Sequence, residues 1–321
     1  MKWLVTGATG FVGQALLARL AADASNTVCG TSRQPGDPLA PGVPRSVVAE
    51  LGPDTAWRAA LQGVDVVVHL AARVHVMREH AQDPLAEFRR VNVQASLALA
   101  QQALQAGVRR LVLVSSVKVH GESTPAGKPF RADDPPLPQD AYAQSKQEAE
   151  AALRALVRSG GLELVIVRPP LVYGPGVRAN FRALMQAVAR GWPLPLGALH
   201  NQRSFVALDN LVDLLVLCGR HPAAANQSFL VSDGCDLSTT ELLQQLARAM
   251  GRPARLLPVP AGVLRALGRL AGRPAMVERL CGNLQVDIAK TRERLGWSPP
   301  VAVDEAMRRM VRGAGPAPTR L

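Results

Sequence analysis

The stretch Trp3-Leu4-Val5-Thr6-Gly7-Ala8-Thr9-Gly10-Phe11-Val12-Gly13 decides the fold of this chain of 321 residues. Its first four residues form an apolar run typical of a buried strand, and an Ala- and Leu-rich helical stretch follows to about Ala22. In such a unit, glycines allow a tight turn and a close approach of the backbone to a pyrophosphate at the positive end of the helix. The stretch predicts a dinucleotide-binding turn, and a glycine-rich turn without a ligand is the alternative.

Strand-like and helix-like stretches alternate through the first half of the chain. We expect strands at 3–6, 27–31, 46–50, 64–70, 111–115 and 162–167, and helices at 11–22, 55–61, 84–106 and 142–159. This alternation predicts an α/β fold, a Rossmann-like doubly wound parallel sheet covered on both faces. After Arg168-Pro-Pro, shorter helices broken by Pro and Gly predict a smaller mixed C-terminal substrate lobe. The expected boundaries are 1–170 for the dinucleotide-binding domain, with segments at about 203–232 returning to it, and 171–321 for the lobe.

Tyr142 and Lys146 lie four residues apart in one predicted helix, so they share one face. A phenol ionises near pH 10, so a Tyr that acts as a base near neutral pH needs a nearby cation, such as Lys146, to lower its pKa. Ser116 follows a strand-like run and would reach the same sheet edge, where its hydroxyl could bind a substrate oxygen. The alternatives are a solvated Tyr–Lys pair and a Ser that caps a turn. Together the three residues predict a catalytic set.

With these motifs the chain resembles the extended short-chain dehydrogenase/reductase family, in particular its nucleotide-sugar epimerases, dehydratases and reductases. The resemblance covers nearly the whole length and rests on the glycine turn, on Tyr142-x-x-x-Lys146, and on residues 65–72, 91–93, 115–121, 168–175 and 209–213. It implies that Ser116 binds the reacting oxygen, Tyr142 is the acid/base, and Lys146 orients the ribose and the Tyr. One departure is His120, where the family often has Tyr.

The resemblance also implies where the cofactor lies. The second strand ends in Thr31-Ser32-Arg33, which offers hydroxyls and a guanidinium in place of the acid that commonly binds the ribose 2′-hydroxyl. These groups suit a 2′-phosphate, so we expect NADP(H), with NAD(H) possible and a solvated Arg33 as the alternative. The expected cofactor-binding residues are Gly7, Thr9, Gly10, Phe11, Val12, Gly13, Thr31, Ser32, Arg33, Glu50, Leu51, Leu70, Ala71, Ala72, Asn92, Tyr142, Lys146 and Arg168.

The substrate implied by the resemblance is a UDP-sugar, whose diphosphate needs cationic donors. The expected substrate-binding residues are His75, Lys118, Asn180, Arg203 and Arg279. For Arg203, a surface salt bridge to Asp209 or Asp213 is the alternative. The implied reaction is hydride transfer at C4, and NADP(H) favours reduction of a UDP-4-keto-(6-deoxy)-N-acetylhexosamine. A 4-epimerase of the UDP-glucose or UDP-N-acetylglucosamine type is the alternative, and a non-catalytic dinucleotide sensor is a remote one.

The formal net charge of +12 could serve nucleic acid or an anionic membrane surface. The basic residues are spread along the sequence and aromatic residues make up only 4%, so we expect no nucleic-acid partner. Four scattered cysteines without a C-x-x-C pair predict neither disulfides nor a metal site. No apolar run suits a signal peptide or a membrane span, and we expect a cytoplasmic protein. The resemblance implies a homodimer.

Overall fold

A computed structural model describes residues 1–74, 83–177 and 179–313, and of residues 179 and 180 only the backbone. Its main sheet has seven strands, all parallel, in the order β3-β2-β1-β4-β5-β6-β9. The strands are β1 (Lys2–Thr6), β2 (Thr27–Ser32), β3 (Arg45–Val47), β4 (Val66–His69), β5 (Arg110–Val114), β6 (Glu163–Arg168) and β9 (Ser228–Leu230). Since β1 lies between β2 and β4, the strand order reverses there, and ligands of such sheets bind outside the carboxyl ends of these strands. The predicted doubly wound fold is confirmed.

A second, two-stranded parallel sheet pairs β7 (Leu171–Tyr173) with β8 (Phe205–Ala207). The helices are α1 (Phe11–Ala21), α2 (Pro84–Phe88), α3 (Ala95–Gln105), α4 (Ala141–Val157), α5 (Ala179–Arg190), α6 (Leu208–Arg220), α7 (Thr239–Ala249), α8 (Ala261–Leu270), α9 (Pro274–Cys281), α10 (Ala289–Leu295) and α11 (Val303–Gly313). A π-helix, Arg89–Gln94, joins α2 to α3, and short 3₁₀ turns occupy Val117–Val119 and Pro222–Ala224. None of the described helices is both long and apolar enough to cross a membrane.

The helix expected at 55–61 is wrong, because these residues form turns. The Thr55 hydroxyl accepts from the Gly52 N–H and donates to the Glu50 carbonyl, which holds the chain in a turn. The N–H of Trp57 donates to the Gln102 side chain at 2.7 Å instead of to a carbonyl four residues earlier. The strand expected at 46–50 is also shorter, as β3 ends at Val47.

Three buried apolar clusters organise the packing. One face of the sheet, with Trp3 and Val112, packs against leucines of α1 and α6. The other face, with Leu4 and Leu111, packs against α3 and α4. The third cluster lies in the C-terminal lobe, around Phe181. Each fully buried Val, Leu or Phe stabilises the fold by about 1.5–3 kcal/mol relative to exposure, so the sheet edge that carries the site is held firmly on both faces.

Candidate active site

The backbone of the glycine turn between β1 and α1 is packed too closely for a side chain at Gly7 or Gly13. Gly7 has φ +67°, and a Cβ there would lie 2.7 Å from the Ala71 backbone N. A Cβ on Gly13 would lie 2.2 Å from the Gly7 carbonyl oxygen, so helix and turn touch backbone to backbone. Gly10 is the N-cap residue of α1, and no side chain of the described residues caps that helix. Its first N–H groups and its positive end therefore suit the pyrophosphate of a dinucleotide.

The loop after β2 holds the residues expected at the adenosine ribose. Thr31 and Ser32 are buried, and the Ser32 hydroxyl donates to the Gln34 carbonyl at 2.9 Å. Arg33 is exposed, and no described residue bonds to its guanidinium. Sequence reasoning missed Asp37, whose carboxylate accepts from the backbone N–H groups of Arg33 and Gln34 at 3.0 and 2.9 Å. Asp37 lies four residues after Arg33 in the sequence, but its carboxylate folds back to the end of β2. Its negative charge disfavours the binding of a 2′-phosphate there.

The other expected cofactor contacts follow the ends of neighbouring strands or begin α1. Glu50 is exposed to solvent, and its carboxylate forms a salt bridge with Arg90 at 2.8 Å. The other side chains of this set are partly exposed. They comprise Thr9, Phe11, Val12, Leu51, Leu70, Ala71 and Ala72. Their partial exposure along one sheet edge is compatible with a dinucleotide, and their contacts with one stay a prediction.

Ser116, Tyr142 and Lys146 come together at the carboxyl end of β5. The Lys146 ammonium donates to the Val114 carbonyl, the last residue of β5, at 2.8 Å. Ser116 begins the 3₁₀ turn that follows, and its hydroxyl accepts from the Lys118 N–H at 3.2 Å. Tyr142 lies in the first turn of α4, and its ring packs edge-on against Phe88 with centroids 6.0 Å apart. The Ser116 hydroxyl is hydrogen-bonded to the Tyr142 phenol, so the three expected catalytic residues lie together at this end of β5.

The protein's own groups make the Tyr142 phenol harder to ionise. Burial first, and then the Asp140 carboxylate, raise the pKa of Tyr142 to about 12, while the Ser116 hydroxyl acts in the opposite direction. Burial lowers the pKa of Lys146 to about 8, against the attraction of Glu150. The structure thus corrects the lowered Tyr142 pKa that the sequence suggested: the pKa is raised, and Lys146 is not among the groups that shift it.

Asn92 lies in the π-helix and is almost fully buried. Its side-chain oxygen accepts from the Arg73 N–H at 2.8 Å, and its amide donates to the Arg73 carbonyl at 3.0 Å and to Ser145 Oγ at 2.9 Å. Ser145 in turn donates to the Tyr142 carbonyl at 2.7 Å. These internal bonds engage both amide hydrogens, which corrects the expectation of a direct cofactor contact: Asn92 positions the chain beside Tyr142.

A buried chain of hydrogen bonds connects Asn92 to the glycine turn. Thr6 Oγ1 lies 2.6 Å from His69 Nδ1, and His69 Nε2 lies 2.9 Å from Ser96 Oγ. Ser96 donates its proton to the Asn92 carbonyl at 2.7 Å, so His69 must donate from Nε2 and accept at Nδ1. Burial, helped by the charge of Lys146, lowers the pKa of His69 to about 3, in agreement with this neutral form. No sequence pattern indicated these polar partners of His69, because they become its neighbours only in the folded chain.

Lys118 was expected at the substrate, but its charge is engaged elsewhere. Its ammonium lies 2.6 Å from Glu122 and 2.6 Å from Asp140. Burial acts to lower the pKa of Lys118, but the hydrogen bonds to these carboxylates outweigh it and raise the pKa. Asp140 also caps α4, accepting from the Ala143 N–H at 2.6 Å. The structure therefore corrects the expected role: Lys118 supports the start of the helix that carries Tyr142.

Arg168 was expected at the cofactor, and the structure corrects this as well. Its guanidinium donates to both carboxylate oxygens of buried Glu150, at 2.9 and 2.5 Å. Its remaining terminal nitrogen donates to His120 Nε2 and to the Ala132 carbonyl, each at 2.8 Å. Arg168 is 5% exposed and its donors are used, so it holds β6 to α4 as a buried ion pair. His120, the departure from the family pattern, is part of this same cluster.

Arg203 is the strongest candidate for an anion-binding residue in the C-terminal lobe. Its guanidinium donates to the Gly282 carbonyl at 3.1 Å, and among the described residues it contacts no carboxylate. The two candidate salt-bridge partners are engaged elsewhere, Asp209 with Arg309 at 2.7 Å and Asp213 with Trp297 at 3.0 Å. Burial lowers the pKa of Arg203. A largely desolvated cation without a counter-charge suits a phosphate ligand.

The remaining expected substrate contacts are less informative. Arg279 is exposed on α9, and its Nε donates to the Ala275 carbonyl at 3.2 Å. The backbone of Asn180 begins α5, and its side chain lies outside the described atoms. His75 lies outside the described residues. Within those residues, no group of three or more His, Cys, Asp or Glu side chains could hold a metal ion.

Comparison with known proteins decides the family. The model of the NAD-dependent epimerase/dehydratase family matches residues 3–231. The chain belongs to this family. The resemblance to extended short-chain dehydrogenases that the motifs indicated is thereby confirmed.

Three known proteins show how close the relatives are. The chain is 45% identical over 309 residues to the UDP-glucose 4-epimerase of Vibrio cholerae, covering 95% of this chain and 93% of that one. It is 27% identical to the N-acetyl-α-D-glucosaminyl-diphospho-ditrans,octacis-undecaprenol 4-epimerase of Escherichia coli O157:H7, covering 95% and 93%. Among solved structures, MoeE5 in complex with UDP-glucose and NAD has a TM-score of 0.76 at 25% identity and covers 98% of both chains.

Proposed function

We propose that this protein is an NAD(H)-dependent 4-epimerase of a UDP-hexose or UDP-N-acetylhexosamine. The observation that carries the proposal is the meeting of Ser116, Tyr142 and Lys146 at the edge of the sheet that also holds the glycine turn. Arg203, a cation without a described counter-charge, supplies the diphosphate contact from the lobe.

In this proposal, Ser116 holds the oxygen at C4 and Tyr142 removes its proton as C4 is oxidised. A bound oxidised nicotinamide would supply the acceptor for the C4 hydride and the donor that returns it to the opposite sugar face. Lys146 orients the ribose and stabilises the phenolate, since an ammonium near a phenol favours its charged form. Tyr142 then returns the proton to the C4 oxygen. Phe88 and the bond from Ser145 keep the Tyr142 ring and backbone in place throughout.

The comparisons support the 4-epimerase over the 4-keto reductase that the sequence favoured. The Vibrio cholerae relative, at 45% identity, is named as a UDP-glucose 4-epimerase. The preference for NADP(H), which was the main ground for a reductase, is weakened by the Asp37 carboxylate beside Arg33. The MoeE5 complex contains NAD. We therefore propose NAD(H) as the cofactor.

The direct test incubates the purified protein with UDP-glucose or UDP-N-acetylglucosamine and catalytic NAD, and follows the galacto epimer by chromatography. We expect equilibration from both epimers without consumption of reduced cofactor. Tyr142→Phe should lower turnover by about a hundredfold or more while dinucleotide binding survives. Stoichiometric consumption of NADPH with a UDP-4-keto-sugar, and no epimerisation, would establish the reductase instead.

A second candidate substrate is a polyprenyl-diphosphate-linked N-acetylhexosamine, the type named for the Escherichia coli relative. It shares the diphosphate that Arg203 is proposed to bind. The observation that favours it is an exposed, apolar and basic surface on the substrate lobe, formed by residues 251–280. Parallel assays with UDP-N-acetylglucosamine and with a short polyprenyl-diphosphate analogue separate the two, because only the accepted carrier should give the 4-epimer at a useful rate.

A further inference from the structure

The segment 251–280, which contains α8 and α9, exposes an unusual number of large apolar side chains. We call it the α8–α9 hairpin. Five of the eleven large hydrophobic residues that are exposed in the described chain lie within its twenty residues from 257 to 276. They are Leu257 (50% exposed), Val263 (48%), Leu267 (55%), Leu270 (86%) and Met276 (49%). Single exposed apolar side chains are ordinary, but such a concentration marks an interaction surface.

The geometry of α8 shows that this exposure is not required by the fold. Val263, Leu267 and Leu270 are spaced i, i+4 and i+7, so they form one outward stripe. The packing is done by the other side of the helix, where Leu264 joins the apolar cluster of the lobe. Gly268 is buried so close to Val277 of α9 that a Cβ would lie 2.4 Å from a Val277 methyl. The helix is therefore apolar on two sides, and the fold uses only one.

The charge of the hairpin is strongly positive. Residues 251–280 contain six arginines and one glutamate, a net charge of +5 out of the +12 of the whole chain. Only Arg265 is paired with that glutamate, Glu278, at 3.1 Å. Arg252, Arg255, Arg269 and Arg273 are exposed in the same segment as the apolar stripe.

An exposed tryptophan lies at the base of the same surface. The strand-like pairing of Leu194 with residues 255–257, through backbone bonds of 2.9 and 2.8 Å, joins the segment after α5 to the start of the hairpin. Trp192, two residues before Leu194, is 53% exposed and carries the Arg190 guanidinium 4.9 Å above its ring. Tryptophan and arginine together are typical of surfaces that lie at the boundary between lipid headgroups and acyl chains.

We propose that the α8–α9 hairpin docks on the surface of an anionic phospholipid bilayer. The outward stripe of α8, about 15 Å long, would lie in the plane of the interface with its leucines below the headgroups. The flanking arginines would bind lipid phosphates, and Trp192 would lie at headgroup depth. Neither helix is long enough to span the bilayer, so the attachment is peripheral and reversible.

Docking would bring the substrate lobe to the membrane. Arg203 donates to the carbonyl of Gly282, the residue that follows α9, so the proposed diphosphate site adjoins the end of the hairpin. The proposal goes beyond the 4-epimerase and does not depend on it, since a bilayer would be recognised by the hairpin whatever the lobe binds.

The test is sedimentation of the full-length protein with vesicles of phosphatidylcholine containing about one third phosphatidylglycerol, compared with phosphatidylcholine alone. We expect cosedimentation with the anionic vesicles and a weaker association in high salt, because salt screens the arginine–phosphate attraction. Leu267→Ser/Leu270→Ser should weaken binding by at least about tenfold, since two side chains lose apolar burial. Leu137→Ser, at a leucine that is 66% exposed outside the hairpin, is the matched control and should bind like wild type.

A charge-reversal pair tests the electrostatic part independently. Arg269→Glu/Arg273→Glu should weaken binding to anionic vesicles by about fivefold or more per charge, whereas Arg19→Glu/Arg58→Glu, at exposed arginines elsewhere, should have little effect. Circular dichroism and thermal unfolding identify any variant that fails to fold. Equal binding of all variants, or no binding by folded wild type, overturns the proposal. If wild type ignores vesicles and sedimentation velocity shows a dimer that Leu267→Ser/Leu270→Ser abolishes, the hairpin is an interface between two copies.

Discussion

At the residue scale, burial shifts the pKa of Tyr142 and the pKa of Lys146 in opposite directions, each towards the uncharged form of the side chain. Burial, together with the Asp140 carboxylate, raises the pKa of Tyr142 to about 12. Burial also lowers the pKa of Lys146 to about 8, although its ammonium donates to the Val114 carbonyl. Tyr142 is therefore a neutral phenol at neutral pH, the form that burial prefers, whereas Lys146 acts as a cation only against the effect of its burial. Such opposed shifts are typical of sites where function, not stability, selects the residue.

Lys146→Met should therefore stabilise the protein near neutral pH. Between about pH 8 and 10.5 the unfolded state binds a proton at Lys146 that the folded state has released, so the contribution of this lysine to stability rises with pH across that window. Below pH 8 the charged form is buried at a cost of up to about 3 kcal/mol, offset in part by the bond to Val114. We expect the variant to unfold at higher urea concentration than wild type at pH 7, with the difference shrinking towards pH 10. A gain that is the same at both pH values would show that the burial of charge is not its cause.

The loop after β2 gives a prediction about the preference between NAD(H) and NADP(H). The Asp37 carboxylate accepts from the backbone N–H groups of Arg33 and Gln34. Its negative charge would therefore repel a 2′-phosphate that binds to the exposed Arg33 guanidinium. We expect wild type to bind NAD(H) at least as tightly as NADP(H), and Arg33→Ala to change NAD(H) affinity by less than about twofold. Asp37→Asn, which keeps the shape but removes the charge, should shift the preference towards NADP(H). Fluorescence titration with the reduced cofactors measures all four constants, and a strong NADP(H) preference in wild type that Arg33→Ala abolishes would restore the first expectation.

At the scale of elements, the sequence predicts what depends on periodicity and misses what depends on a tertiary partner. The strands at 3–6 and 111–115 and the helix at 11–22 are within a residue or two of the observed bounds, because their apolar residues alternate or recur as the elements require. The region 84–106 is helical in the structure, but its centre is a π-helix that delivers Asn92 to Ser145. The spacing of apolar residues in the sequence does not predict such a π-helix. In the turns at 55–61, the Trp57 N–H donates to the side chain of Gln102, which lies 45 residues away in the sequence. Periodicity cannot predict such a tertiary contact.

The packing of α6 on the sheet gives an element-scale prediction. Gly219, in the last turn of α6, lies so close to the buried Trp3 ring that a Cβ would be 2.2 Å from it. Gly219→Ala should lower the free energy of unfolding by about 1–3 kcal/mol, since the helix or the ring must move. Gly262→Ala is the control, because nothing lies within 4 Å of its Cβ position in α8, and there the better helix propensity of Ala should be neutral or stabilising. Urea unfolding of both variants decides, and equal behaviour would mean that α6 moves aside at no cost.

At the scale of the whole molecule, folding decides which of the expected site residues are available to a ligand. Ser116, Tyr142 and Lys146 could be grouped from sequence because a strand end and a helix face place them by simple rules. Lys118 and Arg168 could not be judged that way, because the carboxylates that engage them, Asp140 and Glu150, become their neighbours only in the folded chain. Arg203 is the reverse case, a cation that the fold buries away from both of its candidate acidic partners.

The separation of the dinucleotide edge from the lobe predicts that the two ligand classes stabilise the molecule through different residues. UDP at about a hundred times its dissociation constant should add about 2.7 kcal/mol to the free energy of unfolding, which raises Tm by about 4 °C for a chain of this length. Arg203→Ala should lose most of the shift caused by UDP and keep the shift caused by NAD, because the lost contact is with the diphosphate. Arg279→Ala, at an exposed arginine of the same lobe, should lose much less. Thermal unfolding of the three proteins with each ligand makes the measurement. If UDP protects Arg203→Ala as well as wild type, the buried guanidinium serves only the packing of the lobe at Gly282, and the diphosphate must be bound elsewhere.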